Sequence, residues 1–178
     1  MKFNIGCGNR DFGKDWVHID GENYNHVESD DISLTSYEND CADLIYSSHF
    51  LEYFDNDELK TMLFSWKRVL KKNGILRVAV PDFEVCARLY SDGIYPLENF
   101  LGPLYGKMKM KKSFIYHKTT FDFIKLKKIL KDLGMKEIKK YNWRKTEHSM
   151  FDDHSQAYLP HMDKENGILI SLNVECVK

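Results

Sequence analysis

The chain has 178 residues, 43% of them hydrophobic and 30% charged, with a formal net charge of −1. This describes one globular domain spanning 1–178 and offers no basic field for nucleic acid. No apolar run approaches the ~18 residues of a membrane span, and the amino terminus lacks a signal peptide's apolar core. The four cysteines, Cys7, Cys41, Cys86 and Cys176, form no Cys-x-x-Cys pair. They fit reduced thiols in a cytoplasm, with no zinc signature and no metal expected.

Phe3 to Ile5 ends a short strand that runs into Gly6-Cys7-Gly8, two glycines that allow positive φ and a close approach of backbone to ligand. Trp16 to Asp20 is the next strand, with an acid at its carboxyl end suited to the two hydroxyls of a ribose. The stretch between, 9–15, is too short and polar for a full helix, and at most one helical turn is expected there. Asp11 stands where a dinucleotide fingerprint has its third glycine, which counts against NAD. Asp30 or Asp31 is expected to end a third, short strand, where a carboxylate can accept from an exocyclic amine.

Ala42 to Ser48 reads as a buried parallel strand, followed by His49. A helix follows, capped by Asn56 or Asp57, with its apolar stripe at Leu59, Met62, Leu63, Trp66, Val69 and Leu70. Lys71 to Gly74 is expected to close it, and Ile75 to Val80 to form a strand stopped by Pro81. Strands alternating with crossovers predict a doubly wound α/β sheet whose ligand lies outside the strands' carboxyl ends. Gly6, Gly8, Asp20, Asp31, Ser47, His49 and Asp82 all fall at that edge.

The order of these motifs resembles the class I S-adenosylmethionine-dependent methyltransferases. The resemblance rests on Asn4-Ile5-Gly6-Cys7-Gly8, Asp20, Asp31-Ile32, the strand 42–48 with His49, Leu51-Glu52 and the segment Arg68 to Arg77. It covers residues 2–82, the cofactor-binding half. It implies a Rossmann-like, seven-stranded mixed sheet with the last strand antiparallel. Gly6 and Gly8 would lie against the methionine part of the cofactor, with Cys7 between them. Asp20 would hold the ribose, Asp31 and Ile32 the adenine, and Ser47, Ser48 and His49 would border the transfer site. The chain departs from the family pattern at Asn4, often acidic there, and at Arg10, usually glycine.

Residues 83–118 are expected to form a substrate-side insertion. A helix from Phe83 to Tyr90 is broken up by Gly93, Pro96, Gly102, Pro103 and Gly106. The lysines of 107–112 make either a solvated loop or a site for an anionic substrate. Thr119 or Thr120 is expected to cap a helix with an apolar face of Phe121, Phe123, Ile124, Leu126, Leu130 and Leu133. Met135 to Tyr141 and Leu169 to Val177 are the last two strands. Between them, 142–167 is too aromatic for disorder and long enough to be functional, so an ordered flap is expected. The stretch from this flap to Lys178 resembles methyltransferases of surface polysaccharide or glycan biosynthesis.

In the flap, Trp143 and Tyr158 are candidates to stack on a sugar. Asp152, Asp153 and Gln156 are candidates to hold its hydroxyls, unless the flap packs over the sheet or forms a homodimer contact. His49 is the leading candidate for general base, with His117, His154 and His161 as further acceptor-side candidates. The functional expectation is methyl transfer from S-adenosylmethionine, leaving S-adenosylhomocysteine, to a small or carbohydrate-like acceptor, most readily at oxygen. The alternatives are a non-catalytic cofactor-binding partner subunit and, less favoured, an NAD-dependent oxidoreductase.

Overall fold

The structure is a computed structural model that describes residues 1–178. Its main sheet comprises β1 (Lys2–Ile5), β2 (Val17–Ile19), β3 (Ala42–Ser48) and β4 (Leu70–Pro81), then, far along the chain, two more strands. Helices α1 (Asn56–Val69), α2 (Phe83–Ser91) and α3 (Glu98–Tyr105) intervene, followed by a hairpin of β5 (Met108–Met110) and β6 (Ser113–Ile115). Then come α4 (Phe123–Asp132), β7 (Lys136–Lys140), a second hairpin of β8 (Tyr158–Leu159) and β9 (Ile168–Leu169), and β10 (Ser171–Val177). The sheet order is β2-β1-β3-β4-β10-β7. The first four strands run parallel, and β10 runs antiparallel to both β4 and β7.

The sheet has six strands where seven were expected. The segment meant for the third strand makes a single bridge, Ile19 to Ser29. The cause is local: the Asp31 carboxylate accepts from the hydroxyls of Thr35 and Ser36 and from the Ser36 amide, folding the chain into a turn that competes with a ladder. Residues 9–15, where at most one helical turn was expected, form none. Phe12 is buried there, its amide donating to His18 Nε2.

Three helix boundaries shift for similar reasons. Asp55, not Asn56 or Asp57, caps α1. It accepts from the amides of Asp57 and Glu58 while Glu58 reaches back to the Asp55 amide, a complete capping box. Asp122, not Thr119 or Thr120, caps α4. At its far end α1 stops at Val69 instead of running to Lys72, because fully buried Leu70 turns extended and pairs with Ala42. In the insertion, Gly102 and Pro103 lie inside α3 instead of breaking it.

The two faces of the sheet are different. Phe3, Ile5, Ile19, Ile45, Leu76, Val78, Leu172 and Val174 pack on one side with the α1 stripe, including Trp66, and with Leu126 and Leu130 of α4. On the other side the register sets one polar row across the strands: His18, Asn4, Tyr46, Arg77 and Glu175 are successive partners. Trp66 is fully buried and its indole N–H donates to the Ile32 carbonyl at 2.8 Å. Trp66→Ala is expected to lower unfolding stability by about 3–5 kcal/mol, read from denaturant midpoints. A loss under about 1 kcal/mol would mean the helix does not depend on this face.

Candidate functional site

The carboxyl edge begins at the glycine loop. Gly6 and Gly8 both take positive φ, 69° and 57°. A Cβ on Gly6 would sit 2.4 Å from the Phe50 ring, so this glycine is required by packing beneath the loop as well as by its backbone angle. The Gly8 amide donates to Asp20 Oδ2 and the Glu22 amide to Asp20 Oδ1, both at 2.8 Å. Asp20 is buried. Each of its oxygens carries a second lone pair, so the carboxylate still has capacity for hydroxyl donors. The Cys7 thiol is pushed up to about 12 by burial and by Asp20, so it is no nucleophile at neutral pH.

Beside the loop lies a cavity lined by Asn4, Gly6, Cys7, Arg10, Phe12, Ser48, Asp153 and His154, with a volume of about 10 Å³, room for roughly one water. Asn4 Nδ2 and Ser48 Oγ, both buried there, have no hydrogen-bond partner. Buried polar atoms are nearly always paired, and two orphans in one cavity mark a place for a polar ligand group. Ser47 is different: its hydroxyl donates to the Ile5 carbonyl at 2.9 Å and ties β3 to β1. Asp31 is engaged by Thr35 and Ser36, and Ile32 packs at the margin of the main core.

His49, after β3, takes positive φ and donates its amide to the Ala79 carbonyl. Its Nε2 is 3.1 Å from Ser171 Oγ and its Nδ1 is 3.7 Å from Glu52 Oε1. His117 approaches the same Glu52 oxygen from the opposite element, at 3.8 Å. The structure thus brings His49 and His117 together around Glu52. Through a ring distance of 5.2 Å, His49 also meets His154 of the flap.

The flap packs on the polar row of the sheet. Asp153 is buried and accepts from the Tyr46 hydroxyl at 2.5 Å. Asn173 Nδ2 donates to the Ser155 carbonyl at 2.8 Å, and Arg77 pairs with Glu147 at 2.8 Å. Phe151 stacks on Phe12 with ring centres 4.6 Å apart. Consequently the flap's sugar-binding candidates divide. Trp143 and Tyr158 are buried and bonded to each other, Nε1 to Oη at 3.2 Å, so neither offers a face for stacking. The Gln156 amide is spent on the Ser149 and Phe151 carbonyls. Asp152 and His161 are exposed, outside the cavity. Asp153 and His154 line it.

Sequence reasoning named Asn4 and Arg10 only as departures from a pattern. Here both line the cavity, and Arg10 Nε donates to the Asp152 carbonyl at 2.8 Å, joining the glycine loop to the flap. Ser171 and Asn173 were missed as site residues. Their i, i+2 spacing on a strand puts them on one face, but nothing in the sequence says that His49 is the neighbour. No group of three or more His, Cys, Asp or Glu side chains is arranged to hold a metal ion, and no helix is long and apolar enough to cross a membrane.

The methyltransferase domain family matches residues 4–78. Among solved structures, a SAM-dependent methyltransferase from Archaeoglobus fulgidus superposes with a TM-score of 0.58 at 16% identity, covering 99% of this chain and 85% of that one. A possible histamine N-methyltransferase from Thermotoga maritima gives 0.58 at 13% identity, with 99% and 81% covered. The 1,6-didemethyltoxoflavin-N1-methyltransferase of Burkholderia thailandensis, with its substrate and S-adenosylhomocysteine bound, gives 0.56 at 12%, with 99% and 70% covered. No curated protein matches. Residues 4–78 match the methyltransferase domain family, and along 99% of its length the chain shares the fold of solved S-adenosylmethionine-dependent methyltransferases.

Proposed function

We propose that this protein transfers a methyl group from S-adenosylmethionine to a small-molecule acceptor, with a carbohydrate-like hydroxyl as the acceptor class. The observation that carries the reading is the cavity at the carboxyl edge, where Asn4 Nδ2 and Ser48 Oγ are buried without partners beside the Gly6–Gly8 loop. These two atoms suit the polar amino-acid end of the cofactor. Asp20, oriented by the Gly8 and Glu22 amides, suits its ribose, and Asp31 and Ile32 are assigned to its adenine. When bound, the cofactor supplies an electrophilic methyl on a good leaving group.

The remaining work falls to the chain's own residues. Positioning lowers the barrier by holding the acceptor in line, a contribution worth up to about 7–11 kcal/mol. The proton of a hydroxyl acceptor leaves toward His154, which lines the cavity, with the ring centre of His49 5.2 Å behind it. Burial lowers the pKa of His49, and a proton on its ring is further disfavoured by the neighbouring His154, His117 and Arg10; desolvation and Arg10 lower that of His154. Each is therefore a neutral imidazole at pH 7, the form that accepts a proton.

Calorimetric titration tests the cofactor. S-adenosylhomocysteine is expected to bind and NAD not. Asp20→Asn, which removes the charge and one acceptor, is expected to weaken binding by about tenfold or more, the worth of a charge-assisted hydrogen bond. NAD binding alone, or an unweakened Asp20→Asn protein, would overturn the assignment. For the proton, His154→Ala and His49→Ala are each expected to lower kcat by about 100-fold with S-adenosylhomocysteine affinity unchanged. Full turnover by both variants would remove the imidazole pair from the mechanism.

A further inference from the structure

Glu52 is 1% exposed, and both its carboxyl oxygens are buried without a hydrogen-bond partner. Its backbone carbonyl is fully used, accepting from the Lys118 and Thr119 amides, so only the carboxyl is left open. That carboxyl sits between two imidazoles, 3.7 Å from His49 Nδ1 and 3.8 Å from His117 Nε2, just beyond direct hydrogen bonds.

The surrounding network fixes which nitrogens carry protons. Asn173 Nδ2 faces the Ser155 carbonyl, which only accepts, and this settles the amide's orientation. Asn173 Oδ1 then accepts from the Ser171 hydroxyl at 3.0 Å. Ser171 Oγ, having donated, accepts at 3.1 Å from His49 Nε2–H. In a neutral His49 the lone pair is therefore on Nδ1, the nitrogen facing Glu52. From the other side, His117 Nδ1 is 3.0 Å from the Pro103 carbonyl and must donate to it. That leaves the lone pair of a neutral His117 on Nε2, also facing Glu52. The packing is tight: a Cβ on Gly106 would lie 1.8 Å from His117 Nε2.

Two lone pairs thus converge on one buried carboxyl. An ionised Glu52 would be repelled by both, and no lysine or arginine reaches it. Making one ring an imidazolium would create a buried ion pair with no direct hydrogen bond to repay desolvation. That charge would also stand in a neighbourhood already holding His154 and Arg10. A protonated Glu52 leaves no buried charge at the site, and its O–H faces a lone pair whichever ring it turns to.

We propose that Glu52 is a positioning residue held as a neutral carboxylic acid, and that by staying uncharged it keeps His49 and His117 in their free-base tautomers. It does not line the cavity beside the glycine loop. It rests on the proposed methyl transfer only for its purpose, namely an unprotonated His49 at neutral pH. An ionised carboxylate at this distance would favour the imidazolium and put a positive charge behind His154, the ring that lines the cavity. Burial independently pushes the Glu52 carboxyl up to about 8. The titratable groups facing it are His49, His117 and Tyr53, with His154 and Arg10 beyond His49.

The sign of the pH dependence follows. In the unfolded chain Glu52 loses its proton near 4.5, whereas in the folded protein it keeps it to about 8. Its contribution to stability is therefore complete below about 4.5 and is lost progressively as pH rises to about 8. Glu52→Gln, a neutral side chain that also donates to lone pairs, removes this loss, while titrating groups remote from the cluster contribute equally to both proteins.

Two measurements on cofactor-free protein test the proposal. In two-bond ¹H–¹⁵N spectra of the wild type at pH 7, His49 is expected as the neutral Nε2–H tautomer and His117 as the neutral Nδ1–H tautomer. In denaturant titrations from pH 5 to 8, the stability of Glu52→Gln relative to wild type is expected to rise with pH. An imidazolium at either ring at pH 7, or stability curves that run parallel, would overturn the proposal. Should Glu52→Gln fail to fold, the wild-type spectra decide alone. Failure to bind S-adenosylhomocysteine would refute the function above and leave these outcomes unmoved.

Discussion

The constraint on which the carboxyl edge depends is the polar row on the second face of the sheet. His18, Asn4, Tyr46, Arg77 and Glu175 lie side by side across five strands. Groups of this kind, removed from water, must find partners or cost the fold several kcal/mol. A full helix after the first strand would ordinarily cover such a face, but residues 9–15 make none. The loop and flap supply cover and partners together. Phe12 packs near Tyr46 and hydrogen-bonds His18, Asp153 takes the Tyr46 hydroxyl, and Glu147 joins Arg77 with Glu175. The long flap and the short first crossover are two sides of one arrangement.

Strand β10 transmits that arrangement to the site. Its Leu172, Val174 and Cys176 alternate into the apolar core, while Ser171, Asn173 and Glu175 face the flap. Ser171 holds His49 and Asn173 holds the Ser155 carbonyl. One strand face therefore fixes the imidazole after β3 and the backbone next to His154. An antiparallel strand places its first residues, not its last, at the carboxyl edge of its parallel neighbours, which puts Ser171 beside Pro81 at the end of β4.

Much of the fold was legible because it rests on period. The stripe Leu59, Met62, Leu63, Trp66 and Val69 is buried as its spacing requires, and the strands around the glycine loop follow runs of apolar residues. Errors arose where one side chain outvoted the pattern. Asp31 folded a would-be strand into a turn, and Asp55 and Asp122 took caps assigned to neighbours. The placement of Gly8, Asp20 and Ser48 at the carboxyl edge was legible, because these residue types are set at strand ends. The site was not legible in the flap, where Trp143 and Tyr158 turned inward. Nor was it legible in the partners of His49, since cross-strand register is invisible to a single sequence.

The same geometry says where the site must give. A cavity of about 10 Å³ admits a water, so a larger ligand group enters it only when cover is displaced. The candidate contacts differ in cost. Asp153 with Tyr46 and Asn173 with Ser155 are buried, and breaking either leaves unpaired groups away from water. The Arg10 contact to the Asp152 carbonyl is exposed, as is the contact of the Lys111 amide with Glu22, where the β5–β6 hairpin tip reaches the loop after β2. Solvent replaces exposed hydrogen bonds at little net cost. Opening is therefore cheapest at the rim, with the hairpin tip and the 152 edge of the flap parting from the first two strands. The buried contacts of Tyr46 with Asp153 and of Ser171 with His49 lie away from that rim.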